Sequence, residues 1–492
     1  MQDLKKSITP FSIIDIGSFS IRLVVYDSLS IASRTLFNEK VVCNLGSIVS
    51  LKKKIDKNSM NFLMGILKRF ISITKSIKSD DPIIIATAAV RLAENRDEFI
   101  NLVLKNFGIR ISLLTEKKEG LLSAFGTIYS HKNVNGIVGD LGGGSIELTE
   151  VRKNGDIVFL ESLKLGHTFL ENVGKAYSSD VQNYIKKSLQ KVKKKEIEKL
   201  YAVGGSFRVI ARLYMFLKKS NLKIIQDYVV SSDDIVKTIK NRLFEKGKMN
   251  FDVLTKVTKS RRNSLPYALN VFEELMIFFD LKKVYFSSSG IREGYIYDLV
   301  KKRIENKNTF LFQVQRLSNL TMNKPMAESL YKWIKVSMDK HFNKNILLSA
   351  CWISNIAWDV HPEHRRLYAM ERILWYPFYG ITRQERIELA IIMYFRHSNG
   401  IKDKSAEKYL DTLDLNVRMR CKYIGQCLRL AHHITGGLSK KNLDLCSLKL
   451  KEKTLVLYVK DDNGIFYGQS IPRGLKNAAN ALGLEESEIK FI

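Results

Sequence analysis

The chain has 492 residues, 45% of them apolar, which allows about three domains with full cores and excludes a mainly disordered protein. Its 80 Lys and Arg exceed its 50 Asp and Glu, and the formal charge of +30 attracts polyanions: nucleic acid, an anionic membrane face or inorganic polyphosphate. A Lys-rich surface composition gives the same charge with no partner at all, so charge alone does not choose among these.

No apolar stretch approaches the roughly 20 residues of a membrane span. The run after Met1-Gln2-Asp3-Leu4-Lys5-Lys6 breaks at Asp15 instead of forming a signal-peptide core. A cytoplasmic protein with no membrane partner is expected. Cys43, Cys351, Cys421, Cys427 and Cys446 are odd in number and form no C-x-x-C pair, so they read as reduced thiols.

The first predicted elements are a strand leading into Asp15, a small-residue turn, and a second strand over 21–26. A helix-period segment over 58–77 follows, then a buried strand over 83–86, a helix near 96–106, a strand over 109–113 and a helix over 116–130. The order then restarts. Gly139-Asp140-Leu141-Gly142-Gly143-Gly144-Ser145-Ile146-Glu147-Leu148 repeats, in register, Ile14-Asp15-Ile16-Gly17-Ser18-Phe19-Ser20-Ile21-Arg22-Leu23. Strands over 146–151 and 157–163, a basic helix around 181–199, a strand over 201–203, a helix over 207–218, a strand over 284–286 and a helix over 291–302 complete the second copy.

Glycines in such a strand–turn–strand unit allow positive φ and let backbone N–H groups approach an anion closely, forming the cradle that phosphates occupy. A single Asp-x-Gly turn carries little information, because hairpins use it routinely. The aligned pair carries much more. Two cradles, each with an Asp placed for a divalent cation, describe a site for a polyphosphorylated substrate at the interface of a duplicated α/β unit.

The densest basic runs are Lys52-Lys53-Lys54, Lys186-Lys187 with Lys191 to Lys195, and the stretch from Lys256 to Arg262. They lack interleaved aromatics, which argues against a stacking binder of single-stranded nucleic acid. Composition shifts around 305–315. Beyond it lie amphipathic helices and Trp333, Trp352, Trp358 and Trp375, all read as core. Alternation over 454–459 and 464–469, then a helix over 474–484, predicts a small α/β tail. The expected domains are 1–132, 133–305 and 306–492.

Taken in order, Asp15-Ile16-Gly17-Ser18 with Ser20 and Arg22, Ala86-Thr87-Ala88-Ala89-Val90-Arg91, Glu119-Gly120, Asp140-Leu141-Gly142-Gly143-Gly144-Ser145-Ile146-Glu147, Leu165-Gly166, Gly204-Gly205-Ser206 with Arg208, and Gly290-Ile291-Arg292-Glu293-Gly294 form a recognisable series. The series resembles the exopolyphosphatase and guanosine pentaphosphate phosphohydrolase (Ppx/GppA) family over the first 300 or so residues. Phe37-Asn38-Glu39-Lys40 and Ser260-Arg261-Arg262 with Leu265-Pro266 are similar to its alphaproteobacterial branch.

The resemblance implies an α/β fold of duplicated actin/Hsp70/sugar-kinase-like (ribonuclease H-like) domains, followed by a mainly helical HD-like C-terminal domain. It implies that Glu119 orients and deprotonates the attacking water and that Asp15, Asp140 and Glu147 hold Mg²⁺ or Mn²⁺. Phosphate would be bound by Gly17, Ser18, Ser20, Gly142, Gly143, Gly144 and Ser145, by Arg22 and Arg91 as forked donors, and by Gly205 and Ser206. The implied activity is release of terminal orthophosphate from polyphosphate by in-line attack of water. Removal of the 5′ phosphate of guanosine pentaphosphate is the alternative, and a non-catalytic polyphosphate or alarmone sensor the third reading. A homodimer is compatible with the resemblance.

Two departures stand out. Phe19 replaces the Asn usual in the first cradle, and Lys117-Lys118 replaces an acidic segment before Glu119. In the helical domain a working HD site needs a His-Asp dipeptide, where this chain has Ser354-Asn355. His361-Pro362-Glu363-His364 and His432-His433 are therefore expected to hold no metal.

Overall fold

A computed structural model describes residues 9–193, 196–245, 248–249, 251–258, 261–303, 308–318, 321–338, 342–437, 439–460, 464 and 466–492. The chain divides into two compact units, Met1–Asn306 and Lys307–Ile492.

The first unit holds two sheets built on one plan. In the first, β1 (Phe11–Ile16), β2 (Ser20–Tyr26) and β3 (Thr35–Val42) run antiparallel, while β4 (Ile83–Ala86) and β5 (Ile111–Leu113) continue in parallel from β1, giving the order β3-β2-β1-β4-β5. In the second, β6 (Gly136–Leu141), β7 (Ile146–Val151) and β8 (Ile157–Leu163) are antiparallel and β9 (Lys199–Val203) joins β6 in parallel. Two more strands extend it beyond β9: β10 (Tyr228–Ser231) at the edge and, after the short hairpin β11 (Phe244–Glu245) and β12 (Lys248–Met249), β13 (Lys283–Phe286). In the order β10-β13-β9-β6-β7-β8, the five strands from β8 to β13 repeat the first sheet and β10 is added at the edge. Asp15 pairs with Arg22 across β1 and β2, and Asp140 pairs with Glu147 across β6 and β7. This is the duplicated actin- and sugar-kinase-like α/β architecture.

The central strands are covered on both faces, so they are continuous apolar runs; Ile13, Ile14 and Ile16 are fully buried. Helices follow the other period. In the helix Lys57–Ser76, Met60, Leu63, Leu67, Phe70 and Ile71 recur at three- and four-residue spacing and face the core, and Asp56 caps its start by accepting from the Ser59 N–H at 2.8 Å.

The helix Glu116–Ser130 connects the two sheets. Its Leu122 packs with Phe11, Ile13, Ile85 and Ile296, whereas Ala124 packs with Val138, Val151, Tyr201 and Val203. The helix Ile291–Val300 lies against it so closely that a Cβ on Gly294 would overlap the Leu122 carbonyl. Glu119, in the first turn of the central helix, is carried into the space between the sheets.

The second unit is mainly helical. The long helices Arg383–His397 and Leu415–Thr435 pack through Gly425, whose Cβ would stand 2.6 Å from Phe395 Cβ. A sheet of β14 (Cys446–Lys451), β15 (Thr454–Val459) and β16 (Glu486–Phe491) follows, with β16 parallel to β15.

Several expectations are corrected. The segment around 464–469 is not a strand among its described residues: Gly464 and Gly468 have φ of 77° and 93°, which breaks an extended run, and the helix Ser470–Ala481 begins directly after it. The third strand is Glu486–Phe491, which was not predicted. The basic helix ends at Leu189 instead of near 199, and Lys194 and Lys195 of its lysine run lie outside the described residues, as do Lys259 and Ser260. Trp333 and Trp352 are buried, but Trp358 and Trp375 are 64% and 52% exposed. Among the described residues no helix is long and apolar enough to cross a membrane.

Candidate active site

The two repeated turns have the same backbone geometry. The Gly17 N–H donates to the Ser20 carbonyl at 3.0 Å, and the Gly142 N–H donates to the Ser145 carbonyl at 2.9 Å. The expected positive φ is absent: Gly17, Gly142, Gly143 and Gly144 do not adopt it. Close approach is what demands small residues here. A Cβ on Gly143 would stand 3.0 Å from the Ser18 Cβ, so the two turns face each other across a narrow gap. The third glycine turn does use left-handed backbone: Gly204 has φ 102°, and a Cβ there would come within 2.9 Å of Asp140 Oδ1.

These turns enclose a cleft of about 170 Å³. Asp15, Gly17, Ser18, Ser20, Glu119, Asp140, Gly142, Gly143, Gly144, Ser145, Glu147 and Gly205 all line it. Arg22, Arg91 and Ser206 are not among its lining residues. Arg22 lies opposite Asp15 on β2, Ser206 is buried and accepts from Arg261 Nη1 at 3.0 Å, and Arg91 meets the cleft through Glu119.

Four carboxylates share the cleft. Glu119 is 5% exposed and is held by Arg91, whose Nη1 donates to it and also to the Leu114 carbonyl at 2.6 Å. Burial, and then the neighbouring Glu147, push the Glu119 carboxyl well above its ordinary value, with Arg91 opposing. Glu147 accepts from Ser145 Oγ at 2.6 Å and from Ser162 Oγ at 3.0 Å, and burial raises it to about 7. Asp140 accepts from the Ser123 hydroxyl; burial raises both Asp140 and Asp15.

Clustered, desolvated carboxylates repel one another, and a hard divalent cation would relieve that repulsion. Asp15, Asp140 and Glu147 offer the oxygen donors that Mg²⁺ takes. Among the described residues no three His, Cys, Asp or Glu side chains converge tightly enough to hold a metal by themselves. A cation here would complete its shell with water and substrate oxygens, as Mg²⁺ commonly does.

Cations form the other half of the site, and most were not singled out from sequence. Arg208 and Arg292 line the cleft, and their signal was present, because each sits inside a glycine motif already quoted. Arg208 Nε donates to the Gly204 carbonyl at 3.1 Å; burial lowers its pKa to about 10. Arg261 and Lys40 were quoted only within branch-specific motifs and given no role, since long-range folding is what brings them together. Arg261 Cζ and Lys40 Nζ each lie 4.7 Å from the centre of the Phe19 ring. Burial, and then Arg261, lower Lys40 to about 8. Lys118, by contrast, is paired with Asp298 at 2.8 Å.

Residues 24–303 match the Ppx/GppA phosphatase family, and residues 341–487 match the exopolyphosphatase C-terminal family. The chain is similar to retrograde regulation protein 2 of Saccharomyces cerevisiae, 24% identical over an alignment of 451 positions that covers 82% of this chain and 75% of the yeast protein. In fold it is similar to the Ppx/GppA family member of Aquifex aeolicus, with a TM-score of 0.52 and 21% identity over 60% of this chain and 99% of that one. An exopolyphosphatase from Cytophaga hutchinsonii gives a TM-score of 0.51 and 20% identity over 60% of this chain and 98% of that one. The chain belongs to the Ppx/GppA phosphatase family.

Proposed function

We propose that the chain hydrolyses terminal phosphoanhydride bonds and releases orthophosphate from inorganic polyphosphate. One observation carries this reading: a buried carboxylate, Glu119, fixed by Arg91, stands in a cleft formed by two facing phosphate turns. The backbone N–H groups of Ser18 to Ser20 and Gly143 to Ser145 would hold the terminal phosphoryl oxygens. Glu119 would accept the proton of a water aligned opposite the leaving oxygen, and positioning supplies much of the rate. Asp15, Asp140 and Glu147 would hold Mg²⁺, which when bound neutralises charge on the transferred phosphoryl group.

Arg208 and Arg261 line the cleft beside the turns and Lys40 shares the Phe19 ring with Arg261, a gathering of positive charge that suits a polyanionic substrate. Guanosine pentaphosphate would use the same turns and is the alternative substrate. The yeast relative is named for regulation, so a sensor is the third reading; the Arg91–Glu119 pair favours catalysis over it. The test is phosphate release by purified protein from long-chain polyphosphate and from guanosine pentaphosphate, side by side with Mg²⁺. Release from neither substrate would overturn the proposal, and release from guanosine pentaphosphate alone would select the alternative.

A further inference from the structure

The second unit contains a cavity of about 270 Å³ whose walls are strongly basic. Arg396 and His397 end one helix, Arg429, His432 and His433 share one face of the neighbouring helix, and Arg365 opens a third. No Asp or Glu is among the described residues lining it. Asn355 also lies on its wall.

These side chains are unsatisfied in a particular way. Arg396 is 5% exposed, and its Nε, together with His397 Nε2 and His432 Nδ1, is buried without a hydrogen-bond partner among the described residues. Arg365 is anchored by its Nε to the Val360 carbonyl at 2.7 Å and by Nη2 to the Trp358 carbonyl at 3.0 Å, which fixes its guanidinium at the cavity wall. Burial and neighbouring cations lower Arg396 to about 9 and His432 to about 4, and the named influences on both are positive groups. Burying like charges without counter-charge is costly, and buried donors left unpaired imply a missing acceptor.

We propose that this cavity binds a phosphate dianion, free or as the terminal group of a small phosphorylated molecule. Arg396 and Arg429 supply the forked donors that match phosphate geometry, and His397 and His432 supply further N–H donors. The exposed Trp358 at the cavity would give a ring on a carried ligand a surface to stack on. The inference does not depend on what the first unit hydrolyses.

The test is calorimetric titration of the full chain with inorganic phosphate and with adenosine monophosphate at constant ionic strength, beside thermal unfolding. Saturable binding with a Kd of about 1 mM or tighter is expected. Arg396→Gln and Arg429→Ala should each weaken it at least about tenfold, the loss of a charge-assisted hydrogen bond. Arg208→Ala, in the cleft of the first unit, should weaken only phosphate binding there and leave in place the component that Arg396→Gln and Arg429→Ala remove. Arg429 is less buried than Arg396, so its variant keeps the test valid where Arg396→Gln does not fold. Competition by adenosine monophosphate identifies a carried phosphate, and phosphate binding without it identifies the free ion; both uphold the site. Absence of saturable phosphate binding, or loss in Arg208→Ala with none in the Arg396 and Arg429 variants, would overturn it.

Discussion

Arg91 holds Glu119 by a largely buried ion pair and is itself tied to the Leu114 carbonyl at 2.6 Å, so the guanidinium fixes the carboxylate in the cleft. The sequence resemblance implies Arg91 as a phosphate donor; the structure places its Nη1 on Glu119 and the Leu114 carbonyl. Two effects act on Glu119 in opposite senses, burial raising its pKa and Arg91 lowering it.

Glu119→Gln is expected to lower turnover by about 10² to 10⁴, the usual worth of a positioned base, while substrate binding persists. Arg91→Met should shift the pH profile. Removing the cation raises the Glu119 pKa further, so the acid limb of kcat/KM, where activity grows as Glu119 loses its proton, moves to higher pH. An unchanged limb in Arg91→Met would show that Arg91 does not set the state of Glu119.

Glu147 links stability to pH and metal. Its folded pKa, about 7, lies above its ordinary value of 4.5. The stability it contributes is therefore present below its unfolded pKa and is lost as pH rises through the folded one. Tm of the metal-free protein should fall between about pH 5 and pH 8, and Glu147→Gln should flatten that fall. Mg²⁺ competes with the proton for these oxygens, so its stabilising effect should be larger at the higher pH. Equal Mg²⁺ effects across this range would separate Glu147 from any metal site.

Gly294→Ala tests the packing that carries Glu119 into the cleft. A methyl group there overlaps backbone of the central helix, which has no rotamer with which to yield. Overpacking of this kind costs roughly 1–3 kcal/mol. A lower Tm together with reduced turnover is expected, and a wild-type Tm would mean that the two helices separate without cost.

Local periodicity made much of the fold legible. The helix Glu116–Ser130 and the strand Ile83–Ala86 have the bounds that apolar spacing predicts, because each is a single unbroken pattern. The helix Leu265–Phe279 was missed, since it is buried on nearly all sides, Asn270, Glu273 and Glu274 included, and carries little polar contrast. At the site, the repeated turns were legible because both copies keep Asp-x-Gly and Ser. Arg261 beside Phe19 was not, since 242 positions separate them in the numbering and only the folded chain brings them together. The reason for the glycines was also misjudged: spacing shows where a turn lies, whereas the facing turn that excludes a Cβ is a tertiary fact.

Lys40 should impose an alkaline limit. It lies across from Arg22 on β3 and loses its charge near pH 8, because burial and Arg261 disfavour the ammonium. Attraction for a polyanion falls as that charge disappears, so kcat/KM should decline above about pH 8. Lys40→Gln should begin lower and lack this decline. A decline that persists in the variant would assign the titration to another group.

The last prediction separates a polymer track from surface charge. Lys118 is paired with Asp298 and Lys186 approaches Glu274 at 3.9 Å, so these two lysines are partly neutralised within the chain. Lys187, Lys191 and Lys193 are exposed and remain as candidates beyond the cleft. Each lysine that contacts phosphate releases condensed counterions and would add roughly 0.7 to the log–log dependence of affinity on salt, taking polyphosphate to behave as a single strand. Long chains should therefore lose affinity more steeply with salt than tripolyphosphate, which reaches only the cleft. Replacing Lys187, Lys191 and Lys193 by Gln should reduce the long-chain slope by up to about 2 and leave tripolyphosphate unaffected. Equal slopes for both substrates would confine recognition to the cleft and leave these lysines as surface composition.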